Sequence, residues 1–514
     1  MNPNWQFRLK RIRNVISVLF KSKTAVAGII ILALFTGLAI GAPLATCLTQ
    51  CGADPNFTTV SGSLAEPSWY SFFNEGSRLS QNSMLEPNGG FSSDPLGTNG
   101  WKFTSSGNFL SASYYPDISY STGTGGSIGV TLDKSTATPG NYTARVEKTF
   151  NWPYDGQPYS FQGEAHIFAA NASQSQPVRA TVYIRSLSTG TEYDLTDPNE
   201  GPSNSSNLSW GQFPFVKPLW LRPSLGSSDT AVTIVLHIST INAARLLFPA
   251  RGDYAYGVRL TMTNAQQSAG QLKVFLSGMN LRLLGTSWGI MGTDFIGRDV
   301  WTQLVFGARI SLLVGLLSAG VGIVVGLVVG LAAGYMGKFV DEVLMRFTDM
   351  LLVLPTLPLI IILVAVTGGR STLAILILII GLLGWMGFAR VIRAQVLTLK
   401  ERPFVEAAKA AGAGTGHITS KHIIPNIVGL IYVNLALAVP GAILSEAALS
   451  FLGLGDESIM SWGRMLNLVE TNTAVRAWWW VLPPGLSIAL VSVSFILIGF
   501  ALDSVFNPRL RQRR

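Results

Sequence analysis

Six apolar runs recur along the chain, at about 24 to 48, 310 to 335, 348 to 366, 373 to 391, 427 to 454 and 479 to 505. Each approaches or exceeds the roughly 20 residues that an α-helix needs to cross a bilayer, so six transmembrane helices are expected. Between the first two runs the period changes. Val178, Ala180, Val182 and Ile184 alternate with Arg179, Thr181, Tyr183 and Arg185, and Val232, Ile234, Leu236 and Ile238 repeat the alternation. Val258, Leu260 and Met262, then Leu272, Val274 and Leu276, do the same. Period two marks strands with one buried face. Shorter strands are expected at 128 to 132, 142 to 146 and 165 to 169, whereas 94 to 126 reads as largely irregular. Many short strands between turn residues suggest an antiparallel, sandwich-like all-β domain. The expected fold class is therefore a multi-pass α-helical membrane protein with an inserted β domain.

Composition agrees with that division. The chain has 514 residues, 48% of them hydrophobic and only 13% charged, as in a membrane protein diluted by a polar domain. Its net charge of +9 is unevenly placed: residues 52 to 288 hold 14 Lys and Arg against 16 Asp and Glu, and the remainder holds 23 against 12. These cations flank apolar runs and do not form one aromatic-studded face, which argues against nucleic acid as a partner. If the N-terminus is cytoplasmic, the inner segments carry 18 Lys and Arg. The outer connections beyond the insert carry only Arg298, Arg309, Arg370, Arg464 and Arg476. By the positive-inside rule both termini are then cytoplasmic and the β domain lies outside. The first run is too long and starts too late for a signal peptide, so it is read as a retained span. The expected domains are a basic segment 1–23, a first helix 24–48, an insert 49–288 and a membrane core 289–514.

Within that core, Pro403 suits a first helical position and Gly412 a helix stop, so the alanine-rich stretch between them reads as a short helix. Composition alone leaves open whether it is a solvated loop helix or one that lies in a groove on a partner. Gly322, Gly326, Gly330 and Gly334 recur every fourth residue of the second run, the spacing of a close helix-packing seam. Arg346 and Asp349 are spaced to pair on one helix face, and Pro355 and Pro358 interrupt the third run. Glu446 is the acid well inside an apolar run, so it should face the bundle interior, a partner or water. It fits either a helix-to-helix hydrogen bond or a gate or substrate contact.

Other features carry less. Cys47 and Cys51 sit where the first span leaves the membrane and form either a disulfide or two free thiols. His166, His237, His417 and His422 lack metal-ligand spacing, and no metal is assigned. Trp210, Trp220 and Tyr256 either stack on a ligand or belong to the core. Five Asn-x-Ser/Thr triplets lie in the Ser/Thr-rich insert, and Arg251-Gly252-Asp253 reads as a tight turn. Asp294, Gly297, Arg298 and Asp299 belong to a turn leading into an amphipathic, membrane-surface helix, where Arg298 and Arg309 meet headgroups or carboxylates.

Three stretches carry a family resemblance. Glu406-Ala-Ala, then Gly412, then Ile-Ile-Pro425-Asn resembles the docking loop of ABC-importer permeases. Gly292-Thr-Asp-Phe-Ile-Gly-Arg-Asp-Val with Gly307-Ala-Arg-Ile-Ser-Leu resembles the dipeptide, oligopeptide and nickel type, as does the segment around Glu446. Asn507-Pro-Arg-Leu-Arg511 is similar to its C-terminal motif, where Asp more often precedes the proline. Asp94-Pro-Leu-Gly-Thr98 echoes the residues that usually precede the second motif, which suggests that the β domain was inserted there. The resemblance implies that Glu406, Ala407, Ala408, Gly412 and Pro425 belong to a cytoplasmic coupling loop, about 392 to 426. It further implies a second permease, two ATPase subunits that bind ATP and Mg, and an extracytoplasmic binding protein. No phosphate-binding loop occurs, since Gly337-Lys338 lacks both the upstream glycine and the following hydroxyl, so this chain is not expected to be an enzyme or to hold a cofactor. Peptides, oligosaccharides and nickel all remain open as cargo. A membrane-anchored adhesion or carbohydrate-binding protein would explain the insert but not five later spans. A channel or secondary transporter would need paired intramembrane charges or an internal repeat.

Overall fold

The computed structural model describes residues 20 and 22–506, apart from 74–75, 87–90, 92, 97–99, 118, 120, 122–124, 173–176, 197–219, 222–223, 239–241, 266–269 and 367–371. The basic N-terminal segment, Trp210, Arg370, the C-terminal motif and part of the 94–98 echo lie outside these. Two compact units emerge: Met1–Thr58 with Asp299–Arg514, and Thr59–Arg298. The second runs past the expected end at 288 because the chain on either side of it pairs. Val60 N donates to the Gly297 carbonyl at 2.8 Å, Leu64 N to that of Asp294 at 2.8 Å and Glu66 N to that of Thr286 at 2.9 Å.

The first unit is helical: α1 (Lys23–Ile40), α2 (Val300–Met336), α3 (Lys338–Val353), α4 (Thr356–Val366), α5 (Leu373–Leu383), α6 (Met386–Lys400), α7 (Pro403–Ala410), α8 (Ile424–Phe451), α9 (Trp462–Thr471) and α10 (Trp478–Phe506). Among the described residues, four helices are long and apolar enough to cross a membrane: Lys23–Ile40, Val300–Met336, Thr415–Phe451 and Trp478–Asp503. The total is up to six if two bent pairs each count as one span.

The bends correct the simple reading of the third and fourth runs. Between α3 and α4 the axis turns by 92° and between α5 and α6 by 43°. Leu354 adopts ψ 133°, as the ring of Pro355 demands of the residue before it, and this ends α3. Two further expectations are corrected. The first helix breaks at Gly41, and the stretch to residue 48 follows as a short α-helical turn, Ala42–Ala45, and a 3-10 turn, Thr46–Leu48. Residues 306–312 are not a separate surface helix but the early turns of α2, whose 37 residues reach about 55 Å. Asp299 starts that helix: its carboxylate accepts from Thr302 N at 3.0 Å and Thr302 Oγ1 at 2.6 Å. The same oxygen accepts from Thr49 Oγ1 at 2.7 Å, in the loop that the Cys47–Cys51 disulfide closes.

The second unit holds β1 (Ser83–Met84), β2 (Trp101–Ser105), β3 (Leu110–Tyr115), β4 (Ser127–Asp133), β5 (Gly140–Trp152), β6 (Ser160–Ala169), β7 (Val178–Ser186), β8 (Glu192–Asp194), β9 (Trp220–Leu221), β10 (Ser224–Gly226), β11 (Gly252–Asn264) and β12 (Gln271–Leu284). A seven-stranded sheet runs β10-β6-β12-β4-β3, with β1 on β12 and β9 on β6. A five-stranded sheet runs β2-β5-β11-β7-β8. The pairs are antiparallel, and alternate residues of both sheets enter one apolar core that includes Trp101, Trp152, Val182, Val258 and Leu276. Tyr256 belongs to that core and is no ligand platform: it is fully buried and its hydroxyl donates to the Glu164 carbonyl at 2.7 Å. On the opposite face of the five-stranded sheet Tyr183 donates to Glu147 at 2.7 Å. Burial, then the Glu147 carboxylate, pushes the phenol's pKa up, so it remains a donor.

One strand expectation fails. Residues 232–238 are not a strand: Thr230–Val235 is a short helix. Asp229 precedes it, its carbonyl accepting from Thr233 N at 3.0 Å while its carboxylate turns away to Gly226 N at 2.5 Å. The stretch 94–126, expected to be largely irregular, holds two strands, with β2 paired to β5 and β3 to β4.

Candidate functional site

Pro403 opens α7, and the helix ends on Gly412 at φ +82°. Ala413 N donates to the Ala408 carbonyl at 3.0 Å and Gly412 N to that of Lys409 at 2.9 Å, the paired bonds of a Schellman cap. Glycine is needed at that turn because a side chain disfavours left-handed backbone. Val405 is fully buried and Ala408 half-buried, while Phe404, Glu406, Ala407, Lys409 and Ala410 face out. The chain continues through Thr415–Ile418 and a π-helical turn, Thr419–Ile423, into α8, with Pro425 in its exposed first turn.

The buried side of this loop is welded to the bundle. Val405, Ile418 and Ile423 share one apolar cluster with Ile323 of α2, Ile392 and Val396 of α6 and Ile427 of α8. Side chains of α7 and of its following turns are therefore packed against α2, α6 and α8.

The glycine stripe is the seam between α2 and the α5–α6 pair. A methyl built at Gly322 would lie 3.2 Å from the Gly381 carbonyl oxygen, at Gly326 2.8 Å from that of Trp385, and at Gly330 2.7 Å from that of Ala389. At Gly334 it would lie 2.7 Å from the Val396 side chain. Four glycines in register thus let backbone meet backbone. Alongside the seam, α3 is tied to α6: Arg393 donates to Asp341 at 2.6 Å and Arg390 to Asp349 at 3.0 Å. The expected Arg346–Asp349 pair is not formed. Asp349 turns to Arg390, and Arg346 reaches Glu342 one turn back at 3.2 Å.

Glu446 is buried at 2% exposure and joins three helices. Ser450 of α8 donates to one oxygen at 2.7 Å and Ser311 of α2 to the other at 3.5 Å, while Ser311 accepts from Trp462 N of α9 at 3.3 Å. This is the helix-to-helix alternative, with the carboxylate as its hub.

In the turn before α2, each motif residue has a local task. The Asp294 carboxylate, with no exposed surface, accepts from Ile296 N at 3.0 Å, Arg298 N at 2.9 Å and Arg298 Nε at 2.5 Å. Gly297 sits at φ +86°, where a Cβ would lie 2.2 Å from the Ser61 carbonyl oxygen. Arg298 thus meets a carboxylate and not a headgroup.

Ser318 and Asn434 escaped the sequence reading. A cavity of about 480 Å³ lies within the helical unit, walled by α2, α4, α5, α6 and α8, with Ser318 and Asn434 among its polar lining. The signal was present: Asn434 is a lone amide inside the 427–454 apolar run.

The family described as the inner membrane component of binding-protein-dependent transport systems matches residues 322–512. The chain is 38% identical over 238 residues to a dipeptide transport system permease protein of Bacillus subtilis, covering 46% of this chain and 73% of the relative. It is 39% identical over 221 residues to an oligopeptide transport system permease protein of Haemophilus influenzae, covering 43% and 70%. Among solved structures, an inward-facing MetNI methionine ABC transporter matches at TM-score 0.32 and 20% identity, over 40% of this chain and 95% of that one. The matched span is the one that holds the glycine seam, the Glu446 hub and the Glu406 loop, and on that likeness the chain belongs to the family of inner-membrane components of binding-protein-dependent transport systems.

Proposed function

We propose that this permease subunit imports di- and oligopeptides, forming half of an ATP-driven pathway. The named specificities of its relatives support peptides as the cargo. The membrane unit crosses six times, each bent pair counting once, with both termini and the 392–426 loop in the cytoplasm. The 18 to 5 division of Lys and Arg supports that orientation. A disulfide beside the first helix supports an oxidising compartment on the opposite side. There the two sheets form a β-sandwich that docks the binding protein or gathers substrate. A second permease completes the pathway, and two ATPases below it bind ATP and Mg.

The observation that carries the reading is the two-sided build of α7. Its Val405 side is locked into the cluster of α2, α6 and α8, while Glu406, Ala407 and Ala410 stand free for a partner. An ATPase that grips the free side moves the seam helices, and alternate access follows. The test is gentle solubilisation of the expressed complex followed by ATP-dependent uptake of a labelled dipeptide into vesicles. Co-purifying ATPase and uptake are expected. Absence of any ATPase subunit contradicts the importer reading.

A further inference from the structure

The exposed apolar side chains of the β unit are not spread evenly. Among the described residues, Leu64, Trp69, Phe72, Phe73, Ile290 and Ile296 stand out of it, and all six lie in the two segments by which the chain enters the unit at Thr59 and leaves it at Arg298. The remaining large exposed ones, Met84, Tyr159, Leu187 and Ile234, lie on other segments. Single exposed apolar residues need no explanation, whereas a concentration of them marks a contact surface.

The densest part is a 3-10 turn, Ser68–Phe72, with Phe73 after it. Phe72 is 87% exposed and Phe73 57%. Hydrogen bonds hold the turn in this pose. Ser68 N donates to the Gly289 carbonyl at 3.0 Å, Trp69 Nε1 to that of Ile290 at 2.8 Å and Ser71 Oγ to that of Ser68 at 2.6 Å. Trp69 meets Tyr70 and Phe73 edge-on, with ring centres 6.2 and 6.3 Å apart. No residue from Pro67 to Phe73 is charged.

Composition and chain length together say what covers these rings. Aromatic patches that meet another protein are typically accompanied by arginine. Trp, Tyr and Phe without charge are the chemistry of a bilayer's headgroup boundary. Both crossings also lead to membrane helices, α1 and α2. Ile296 precedes Val300, where α2 begins, by four residues, at most about 14 Å of chain. The 37 residues of α2 outrun a bilayer with its headgroups by only about 10–15 Å, so the crossing segments have the lipid surface within reach.

We infer that the 68–73 turn is a membrane-contact site, whose partner is a phospholipid surface. Phe72 and Phe73 enter the boundary between headgroups and acyl chains, Trp69 and Tyr70 lie at headgroup level, and the β unit is seated on the bilayer at the end that carries its two crossings. This rests on the helical unit being the membrane-embedded permease.

The test uses the full-length chain in nanodiscs of phosphatidylcholine and phosphatidylglycerol. Cys47 and Cys51 are joined, so one added cysteine takes an environment-sensitive fluorophore alone. Phe72→Cys, Leu187→Cys just after β7 and Val324→Cys on an exposed part of α2 are labelled in turn, and lipids carrying a nitroxide at the headgroup or at mid-chain are used as quenchers. The label at 72 should lose at least half its emission to the headgroup nitroxide and less to the mid-chain one. The label at 187 should respond to neither, and that at 324 most to the mid-chain one. Adding Phe73→Asp, whose charge resists entry into lipid, should cut the quenching at 72 at least twofold with the thermal midpoint unchanged. Emission at 72 that ignores both nitroxides while 324 responds overturns the membrane contact and leaves the permease standing. A signal at 72 that changes only when a second permease or a binding protein is added does the same, and gives the turn to a protein partner. No response at 324 overturns both readings.

Discussion

Gly330 of α2 lies against Ala389 of α6 so closely that a methyl on the glycine would stand 2.7 Å from the alanine carbonyl oxygen. That is backbone contact, which no rotamer change relieves. Gly330→Leu should force the helices apart and destabilise the protein by about 1–3 kcal/mol or more. The midpoint of thermal unfolding in detergent should drop, along with complex yield. Gly320 of the same helix has no atom within 4 Å of its would-be methyl, so Gly320→Ala should be neutral or slightly stabilising. Equal midpoints for the two variants would remove the seam.

Gly412 closes α7 in left-handed backbone. Gly412→Val should strain the turn by roughly 1–2 kcal/mol, shift the exposed face of α7 and cut ATP-dependent uptake while membrane insertion survives. Gly412→Asn should do less harm, because asparagine visits that backbone region more readily. Uptake assays on the pair, normalised to protein in the membrane, read the difference.

Glu446 accepts hydroxyls from two helices. Glu446→Gln keeps an acceptor and should nearly preserve assembly and uptake. Glu446→Ala strands Ser450 and Ser311 beside a void and should cost about 1–3 kcal/mol for the lost partners, plus the cavity. Loss of uptake in the glutamine variant with an unchanged unfolding midpoint would show instead that the charge itself matters.

Asp299 caps α2 and holds Thr49 of the disulfide loop. Asp299→Ala should destabilise the helical unit by about 0.5–2 kcal/mol. Thr49→Ala, which removes one of three donors to the carboxylate, should have a smaller effect on the same melting curve.

Much of this architecture was legible in the residues because its physical signals are local. The glycine register, the Pro403 and Gly412 stops and the alternation through β5, β7, β11 and β12 each follow from a few neighbouring positions. What escaped depends on distant chain. Strand β2 is short and mostly polar, so that pairing such as Phe103 with Val146 makes it a strand, whereas β3 does alternate Leu110, Ala112 and Tyr114 with Ser111 and Ser113, a signal too short to stand out in sequence. Residues 232–238 alternate, yet Thr230–Val235 folds as a short helix, because so short an apolar run fits either period. The Arg346–Asp349 pair was lost because a better-placed partner, Arg390, lies on another helix. Ser318 and Asn434 looked unremarkable in sequence, since only folding brings them to one cavity.

The central claim is that the exposed face of α7 is where a motor subunit grips this bundle. Its most direct measurement is disulfide trapping between Ala407→Cys and cysteines placed across the ATPase subunit, in the assembled complex with and without ATP. A cross-link that forms at one ATPase cleft, stops uptake and is reversed by reductant is the expected result. No cross-link to any ATPase position, with uptake intact after oxidation, would contradict the account.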